Sequence, residues 1–226
     1  MKKLYLGFVA AACALAGPVA AQTPNPAPTV AELLAKTPAA RGIFVAQDDG
    51  TAWHIKSGLV CPLTFPNQNL WHLEIFAADG SDVGCDYGRN GPDNVAVAKL
   101  TIFATRARPG DTVDSVFAGY KMSITAKYPD ARMTGPAITF QGDPPPDMKD
   151  IRSAEYKLAF NGHASQSDLV VAIQAGWVIE IRADTATEIS DTQQAAMATE
   201  DNALPLLGLM QALKTVGVVT STASNP

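Results

Sequence analysis

The feature that most constrains this chain is a pair of cysteines, Cys61 and Cys85, preceded by an export signal. A third cysteine, Cys13, lies inside that signal. Residues 1–21 comprise a short cationic start, an apolar stretch and a final group of small residues, an order typical of a bacterial secretory signal peptide that is cleaved before Gln22. The sequence therefore predicts a periplasmic or secreted protein that retains two cysteines in an oxidising compartment.

Three kinds of chemistry are open to Cys61 and Cys85: a disulfide, part of a metal site, or reactive thiols. The predicted compartment favours the disulfide. No C-x-x-C motif occurs, and a zinc site would have to recruit His54 or His72. Cysteines on two strands of one sheet with another strand between them would lie about 9.5 Å apart, too far to bridge. We therefore expect one cysteine to lie on a loop that folds back.

Two sequence features bear on membrane attachment: the apolar runs of the chain and Cys13. After the signal, no apolar run approaches the ~18 residues that span a bilayer, because polar residues and a proline interrupt 204–219. We therefore expect no transmembrane anchor. Small residues precede Cys13, as in lipoprotein signals, but alanine stands where these signals usually place a large aliphatic residue. Lipidation of Cys13 remains an open alternative to its removal.

Charge and composition restrict the classes of function. Without residues 1–21 the chain has 15 Lys and Arg against 22 Asp and Glu, a net charge of −7. The basic residues are scattered rather than clustered, which argues against a nucleic-acid partner. A hydrophobic content of 47% supports one globular core. The predicted organisation is a signal peptide (1–21), a proline-rich spacer (22–28), a single domain (29–219) and a disordered tail (220–226).

The first half of the domain predicts one helix followed by strands. Thr29 is a helix cap, Glu32 is its capping-box partner, and Pro38 is a stop signal. Beyond Gly42 the pattern changes to short β-favouring runs separated by turn residues. The predicted strands are Gly42–Gln47, Ala52–Val60, Leu70–Ala77 and Val95–Arg106.

The second half predicts a helix, more strands and a terminal helical segment. Asp111 is the predicted cap of a helix whose apolar residues recur on one face, which we expect to be buried. Asn161 and Gly162 predict a tight hairpin. The terminal segment starts near Asp191, and Pro205 predicts a kink or split within it. The predicted strands are Ala137–Gln141, Ala154–Phe160, Leu169–Ile173 and Trp177–Arg182, and the terminal apolar stripe is Leu206, Leu207, Leu209, Met210, Leu213 and Val216.

Strand runs separated by helices indicate an α+β fold in a single domain, with an antiparallel sheet packed by helices. This order, with the strand Gly176–Arg182 shortly before the terminal helix, resembles the Mog1/PsbP-like fold over roughly residues 42–217. That fold is an antiparallel sheet between helices and occurs in many exported accessory proteins. The resemblance implies a non-catalytic accessory or binding role, and it assigns no functional residue to this sequence.

Two short segments contain residues of the kinds found in functional sites. Asp86–Asn94 has oxygen ligands at positions 1 and 5 and a glycine at position 6 of a calcium loop. Gly88 at position 3 and Val97 at position 12, the place of the closing glutamate, do not match. We interpret this segment as a polar surface loop. Gly162–Asp168 contains His163, two serines and Asp168, the residue types of a catalytic triad, but on a predicted hairpin tip. Triad members come from separate elements, so this adjacency argues against a hydrolase site.

The remaining aromatic residues and histidines predict packing rather than chemistry. His54 and His72 lie on predicted strands, where a histidine usually faces solvent. A site shared by these two histidines is the open alternative. We expect five aromatic side chains in the core: Trp53, Trp71, Trp177, Phe76 and Phe103.

The sequence contains no glycine-rich phosphate loop and no nucleophile motif, and we predict no catalytic, cofactor-binding or metal-binding residue. The leading hypothesis is an exported, disulfide-stapled, non-catalytic binding or accessory protein of the bacterial cell envelope, whose partner is another envelope protein or a small ligand. One alternative is an envelope enzyme of the hydrolase class that uses dispersed His, Asp and Ser residues. The other is an assembly factor that docks on another envelope protein through the terminal apolar stripe.

Overall fold

The computed structural model describes residues 28–65, 68–90, 96–139, 150–160, 162–187 and 204–217. The helices within these ranges are α1 (Val30–Lys36), α2 (Val113–Lys127) and α3 (Leu204–Thr215), with a 3₁₀ turn at Pro38–Ala40. The strands are β1 (Phe44–Ala46), β2 (Ala52–His54), β3 (Val60–Cys61), β4 (Asn69–Ile75), β5 (Asp82–Asn90), β6 (Ala96–Arg106), β7 (Arg132–Gly135), β8 (Arg152–Phe160), β9 (His163–Gln174) and β10 (Trp177–Ala186).

The strands form two antiparallel sheets, which confirms the α+β class. The main sheet has seven strands in the order β4-β5-β6-β10-β9-β8-β7, and the small sheet has the order β1-β2-β3. β10 joins the two halves of the main sheet, because it pairs with β6 on one side and with β9 on the other. The connection from β6 to β10 therefore contains α2 and the hairpins of β7, β8 and β9.

Helices cover both faces of the main sheet. On the α3 face, side chains from four neighbouring strands pack with α1, α3 and the small sheet in one buried cluster. They include Cys85, Ile102, Ile181 and Val170. On the opposite α2 face, side chains such as Leu169 pack with α2 in a second cluster.

Local sequence signals account for the starts of the first two helices. Thr29 and Glu32 form the predicted capping box, in which each side chain binds the other residue's backbone N–H. The cap of α2 is Thr112 rather than Asp111, with Ser115 as its reciprocal partner. The apolar residues of α2, including Ile124, pack on the main sheet as predicted.

The tight turns follow their backbone chemistry. Phe160 and His163 pair directly, so β8 and β9 form the tight hairpin that the sequence predicts. Ala175 and Gly176 connect β9 to β10 with φ angles of 49° and 76°. Both φ angles are positive, which is the geometry of a two-residue hairpin turn that matches the twist of its strands.

The most consequential difference from the sequence predictions is β5. The turn-like residues Asp82–Asn90, including the first half of the interpreted calcium loop, form a strand in the interior of the main sheet. At two glycines of β5, an aromatic ring from a neighbouring strand fills the space that a side chain would occupy. A Cβ on Gly88 would overlap the ring of Trp71, and one on Gly84 would lie 3.3 Å from Phe103. The surface-loop interpretation of Asp86–Asn90 is therefore wrong.

Other boundaries also differ. The predicted strand Ala52–Val60 is two strands, β2 and β3, separated by a turn at residues 55–57. Residues 137–139, at the start of the predicted strand Ala137–Gln141, are not in a strand. Pro205 lies in the first turn of α3, where its missing N–H costs no helical hydrogen bond. Among the described helices, none is long and apolar enough to cross a membrane.

Several predictions fall on residues outside the described ranges. These are the signal peptide, Cys13 and the spacer, the second part of the interpreted calcium loop at 91–94, the helix start near Asp191, and the tail. They stay predictions.

Candidate functional site

The predicted disulfide joins the two sheets. Cys61 in β3 and Cys85 in β5 are bonded, with their Cα atoms 6.0 Å apart and both side chains fully buried. Both cysteines lie on strands, so the expectation that one lies on a folded-back loop is wrong. The distance limit for strands of one sheet does not apply, because the small sheet lies over the α3 face of the main sheet. A disulfide of this kind is compatible with an exported protein.

An open groove of about 230 Å³ lies beside the disulfide-linked segment. We call it the α3 groove. One wall is the segment that follows β3, and the other is the surface of α3. The lining residues are Thr64, Phe65, Leu207, Met210, Gln211 and Lys214.

The first wall of the groove is held from behind by aromatic packing and backbone pairing. The ring of Phe65 contacts the ring of Tyr87, with centroids 5.7 Å apart. The backbones of Phe65 and Gln68 exchange two hydrogen bonds, of 2.7 and 3.2 Å. Since Tyr87 follows Cys85 by two residues, the disulfide and this ring contact attach the wall to the same strand of the main sheet.

The second wall is fixed by the end of α3. The side-chain amide of Gln174 donates to the carbonyls of Leu213 and Val216, at 2.7 and 2.8 Å. These bonds satisfy carbonyls that a helix end leaves unpaired. The Thr215 hydroxyl accepts a 3.3 Å hydrogen bond from the Val60 N–H in β3. Both walls therefore connect to the small sheet as well as to the main sheet.

Polar atoms without partners are buried behind the first wall. Gln68 and Tyr87 have no solvent exposure, and neither the amide of Gln68 nor the hydroxyl of Tyr87 has a hydrogen-bond partner in the described chain. Burial alone raises the pKa of Tyr87 far above its usual value, so the hydroxyl keeps its proton. Leaving such atoms unpaired costs about 1–3 kcal/mol each.

His54, which we expected to face solvent, is fully buried. Its ring contacts Phe44 and Trp177, at 5.2 and 5.6 Å between centroids. Nδ1 lies 2.6 Å from the Ser57 hydroxyl and accepts from the Ser57 N–H at 3.2 Å, which assigns the proton to Nε2. Nε2 lies near the backbone of Gly80, and the contact falls short of a hydrogen bond. Burial lowers the pKa of His54 to about 4.

The other two histidines are exposed, on β4 and at the start of β9. His72 lies opposite Asp86, and His163 lies at the β8–β9 hairpin. Within the described residues, no group of three or more His, Cys, Asp or Glu side chains has an arrangement that could hold a metal ion. His54 is fully buried whereas His72 is exposed, so the two side chains lie in different environments.

The triad-like segment is divided by its strand. Ser165, Ser167 and Asp168 all lie in β9. Alternation along the strand places the two serines on the α2 face and Asp168 on the α3 face. Burial raises the pKa of Asp168 to about 7, a hydrogen bond from Gln166 opposes the shift, and Glu155 on the neighbouring strand adds to it. Asp168 and the two serines therefore do not converge as a triad would require.

Charged side chains on the α2 face pair with each other. Asp86 accepts a 2.6 Å hydrogen bond from the Thr101 hydroxyl and forms a 3.1 Å ion pair with Lys99. Glu180 forms a 2.7 Å ion pair with Arg182, and burial raises its pKa. These paired groups span β5, β6 and β10, and their partners account for the presence of charge on a largely buried sheet face.

Aromatic placement matches the sequence predictions only in part. Trp177 is buried, whereas Trp53, Trp71 and Phe103 are half-buried and Phe76 is 57% exposed. The terminal apolar stripe divides between two surfaces of α3. Its members Leu209 and Val216 are buried in the core, and Leu207 and Met210 line the groove.

Four groove residues are not predicted from the sequence: Thr64, Phe65, Gln211 and Lys214. The available signal was the spacing of Leu207, Met210, Gln211 and Lys214, which recur at i, i+3, i+4 and i+7 and so share one helix face. The opposite wall comes from a segment about 140 residues away in sequence, and no periodicity connects the two.

The fold and the groove define an α+β protein in which a disulfide links two antiparallel sheets beside an open, largely apolar groove. The chain matches no model of a known protein family. It also has no match among the curated protein sequences.

Proposed function

We propose that this chain is an exported, disulfide-stapled, non-catalytic binding protein of the bacterial cell envelope and that the α3 groove is its binding surface. The observation that carries this proposal is the groove itself, with Phe65 on one wall and Leu207 and Met210 on the other. A concave surface with apolar walls and a few polar groups is the usual form of a small-ligand site.

The contacts that hold the two walls of the groove in place support a role in binding. Phe65 rests on Tyr87, and α3 is held by hydrogen bonds to Gln174 and Val60. A groove whose walls are held before a ligand arrives loses less conformational entropy when the ligand binds. The inter-sheet disulfide contributes to the same rigidity, and its persistence fits the oxidising compartment predicted by residues 1–21.

The test is native mass spectrometry of the full chain expressed with its own signal in a Gram-negative host and purified from the periplasmic fraction without reductant. The isolated protein is incubated with envelope extract before measurement. We expect a polypeptide that starts at Gln22, carries one disulfide and retains a non-covalent small-molecule adduct. Leu207→Gln should remove the adduct, because Leu207 lines the groove and is 37% exposed, so its replacement spares the core.

The matched control is Met122→Gln, which replaces an exposed apolar residue on the outer surface of α2. It should leave the adduct unchanged. A chain that stays in the cytoplasm with residues 1–21 attached would contradict export. The absence of an adduct, or equal retention by the wild type and Leu207→Gln, would contradict binding in the groove. A bound envelope protein in place of a small molecule would favour the assembly-factor alternative and overturn the small-ligand proposal.

A further inference from the structure

The α3 groove has a direction, because its polar and apolar groups lie at different positions along α3. Leu207 and Met210 come first in the helix, and Gln211 and Lys214 follow. The seven-residue step from Leu207 to Lys214 corresponds to about 10 Å along the helix axis. The groove is therefore apolar at one end and cationic at the other.

Lys214 is the charged residue of the groove lining, and it is available to a ligand. It is exposed, and none of the ion pairs among the described residues uses it. Among the described residues of the lining there is no carboxylate. A cation beside apolar groups attracts an anion that also carries an apolar part.

The apolar end suits a flexible hydrocarbon. Met210 is unbranched and adapts its shape to a bound group, whereas the ring of Phe65 is held against Tyr87. The volume of about 230 Å³ is smaller than the pockets that hold drug-sized ligands. The groove therefore has room only for a short chain.

We propose that the α3 groove binds a short amphipathic carboxylate. The alkyl chain lies against Phe65, Leu207 and Met210, and the carboxylate accepts a hydrogen bond from the Lys214 ammonium group. The length of about 10 Å corresponds to an extended chain of about eight carbons. This inference rests on the proposed binding function and adds the chemical class of the ligand.

The experiment is a titration of the ¹⁵N-labelled, disulfide-intact protein followed by two-dimensional NMR. The first probe is octanoate, and the second is octyltrimethylammonium, which has the same chain and the opposite charge. We expect octanoate to shift the backbone amide signals of Phe65, Leu207 and Met210 in a saturable way. The cationic probe should bind more weakly, because Lys214 repels it.

Two variants separate the charge from the apolar walls. Lys214→Gln should weaken octanoate binding about 2- to 5-fold, the range for an exposed charge pair, and remove the preference over the cationic probe. Leu207→Gln should weaken both probes. The matched control is Lys36→Gln, which removes an exposed lysine from the last turn of α1 and should leave both affinities unchanged.

The results distinguish this inference from the proposed function. Equal affinities for the two probes, or an unchanged octanoate affinity in Lys214→Gln, would overturn the carboxylate assignment. If the envelope adduct still depends on Leu207, the binding function stands with a different ligand class. Failure of both probes to shift the groove signals, together with no envelope adduct, would overturn both proposals.

Discussion

His54 shows how one buried residue links the fold to pH. The imidazole accepts hydrogen bonds from Ser57 through Nδ1 and packs between Phe44 and Trp177, an environment that favours the neutral ring. Ser57 in turn accepts a 2.7 Å backbone hydrogen bond from Gly217, just beyond α3. Protonation of His54 would therefore disturb the region where the small sheet meets α3.

We predict that His54 makes the protein less stable in acid. Its pKa falls from 6.5 in the unfolded chain to about 4 in the fold, so the unfolded state binds the proton more tightly. The stabilisation is fully present above about pH 6.5 and is lost as the pH falls through 4, with about 2.5 kcal/mol lost by pH 4.5. Urea unfolding at pH 7.5 and 4.5 should show this loss in the wild type and not in His54→Gln.

His72→Gln is the matched control, because it makes the same substitution at an exposed position on β4. The variants must be compared with the wild type because Asp168 and Glu180 act in the opposite direction. Their raised pKa values make the folded protein more stable as the pH falls. An identical change with pH in the wild type and His54→Gln would contradict this role of His54.

We predict that Tyr87→Phe stabilises the protein by about 1 kcal/mol. The hydroxyl of Tyr87 is buried without a partner in the described chain, so its removal relieves a desolvation cost and keeps the ring contact with Phe65. Chemical denaturation measures the change. Tyr128→Phe, at a half-exposed tyrosine, should fall within about 0.5 kcal/mol of the wild type. Destabilisation by Tyr87→Phe would show that the hydroxyl has a partner in the folded protein.

Among the elements, β5 depends most on its neighbours. Its glycines and charged residues would not form a strand from propensity, because glycine and aspartate are depleted in strands. Trp71 and Phe103 supply the missing side-chain volume over Gly88 and Gly84, and Lys99 and Thr101 pair with Asp86. The strand exists because β4 and β6 provide these partners.

We predict opposite effects on stability for two glycine substitutions. Gly88→Ala should destabilise the protein by about 1–3 kcal/mol, because the new methyl group overlaps the ring of Trp71 in a packed sheet. Gly119→Ala should stabilise it by about 1 kcal/mol, because the glycine lies in α2 with open space around its Cα. Thermal unfolding of the two variants provides the comparison. Equal effects would contradict the packing explanation for Gly88.

For the whole molecule, the disulfide is the covalent link between the two sheets. Cys61 and Cys85 are separated by 24 residues, and their bond restricts the unfolded chain. The double substitution Cys61→Ala, Cys85→Ala should therefore lower the free energy of unfolding by about 3 kcal/mol. Denaturant unfolding of the oxidised wild type and the double variant measures the loss. A difference below about 1 kcal/mol would mean that the link adds little to the noncovalent contacts of the small sheet.

Much of the fold was predictable because its signals are local. Thr29 and Glu32 identify the cap of α1, Asn161 and Gly162 identify a hairpin, and the apolar period of α2 identifies its buried face. The prediction failed at β5 and at His54. In both cases the deciding partners come from other elements, and those partners leave no periodic signal in the segment itself.

The sequence by itself determined the fold class, most elements and the pairing of Cys61 with Cys85, because caps, turns, periodicity and cysteine number act within short segments or by simple counting. Only the tertiary structure decided that the disulfide spans two sheets, that His54 is buried, and that the segment at Phe65 and α3 form the two walls of a groove. These features arise from packing between residues distant in sequence, and burial depends on what the rest of the chain places around a residue.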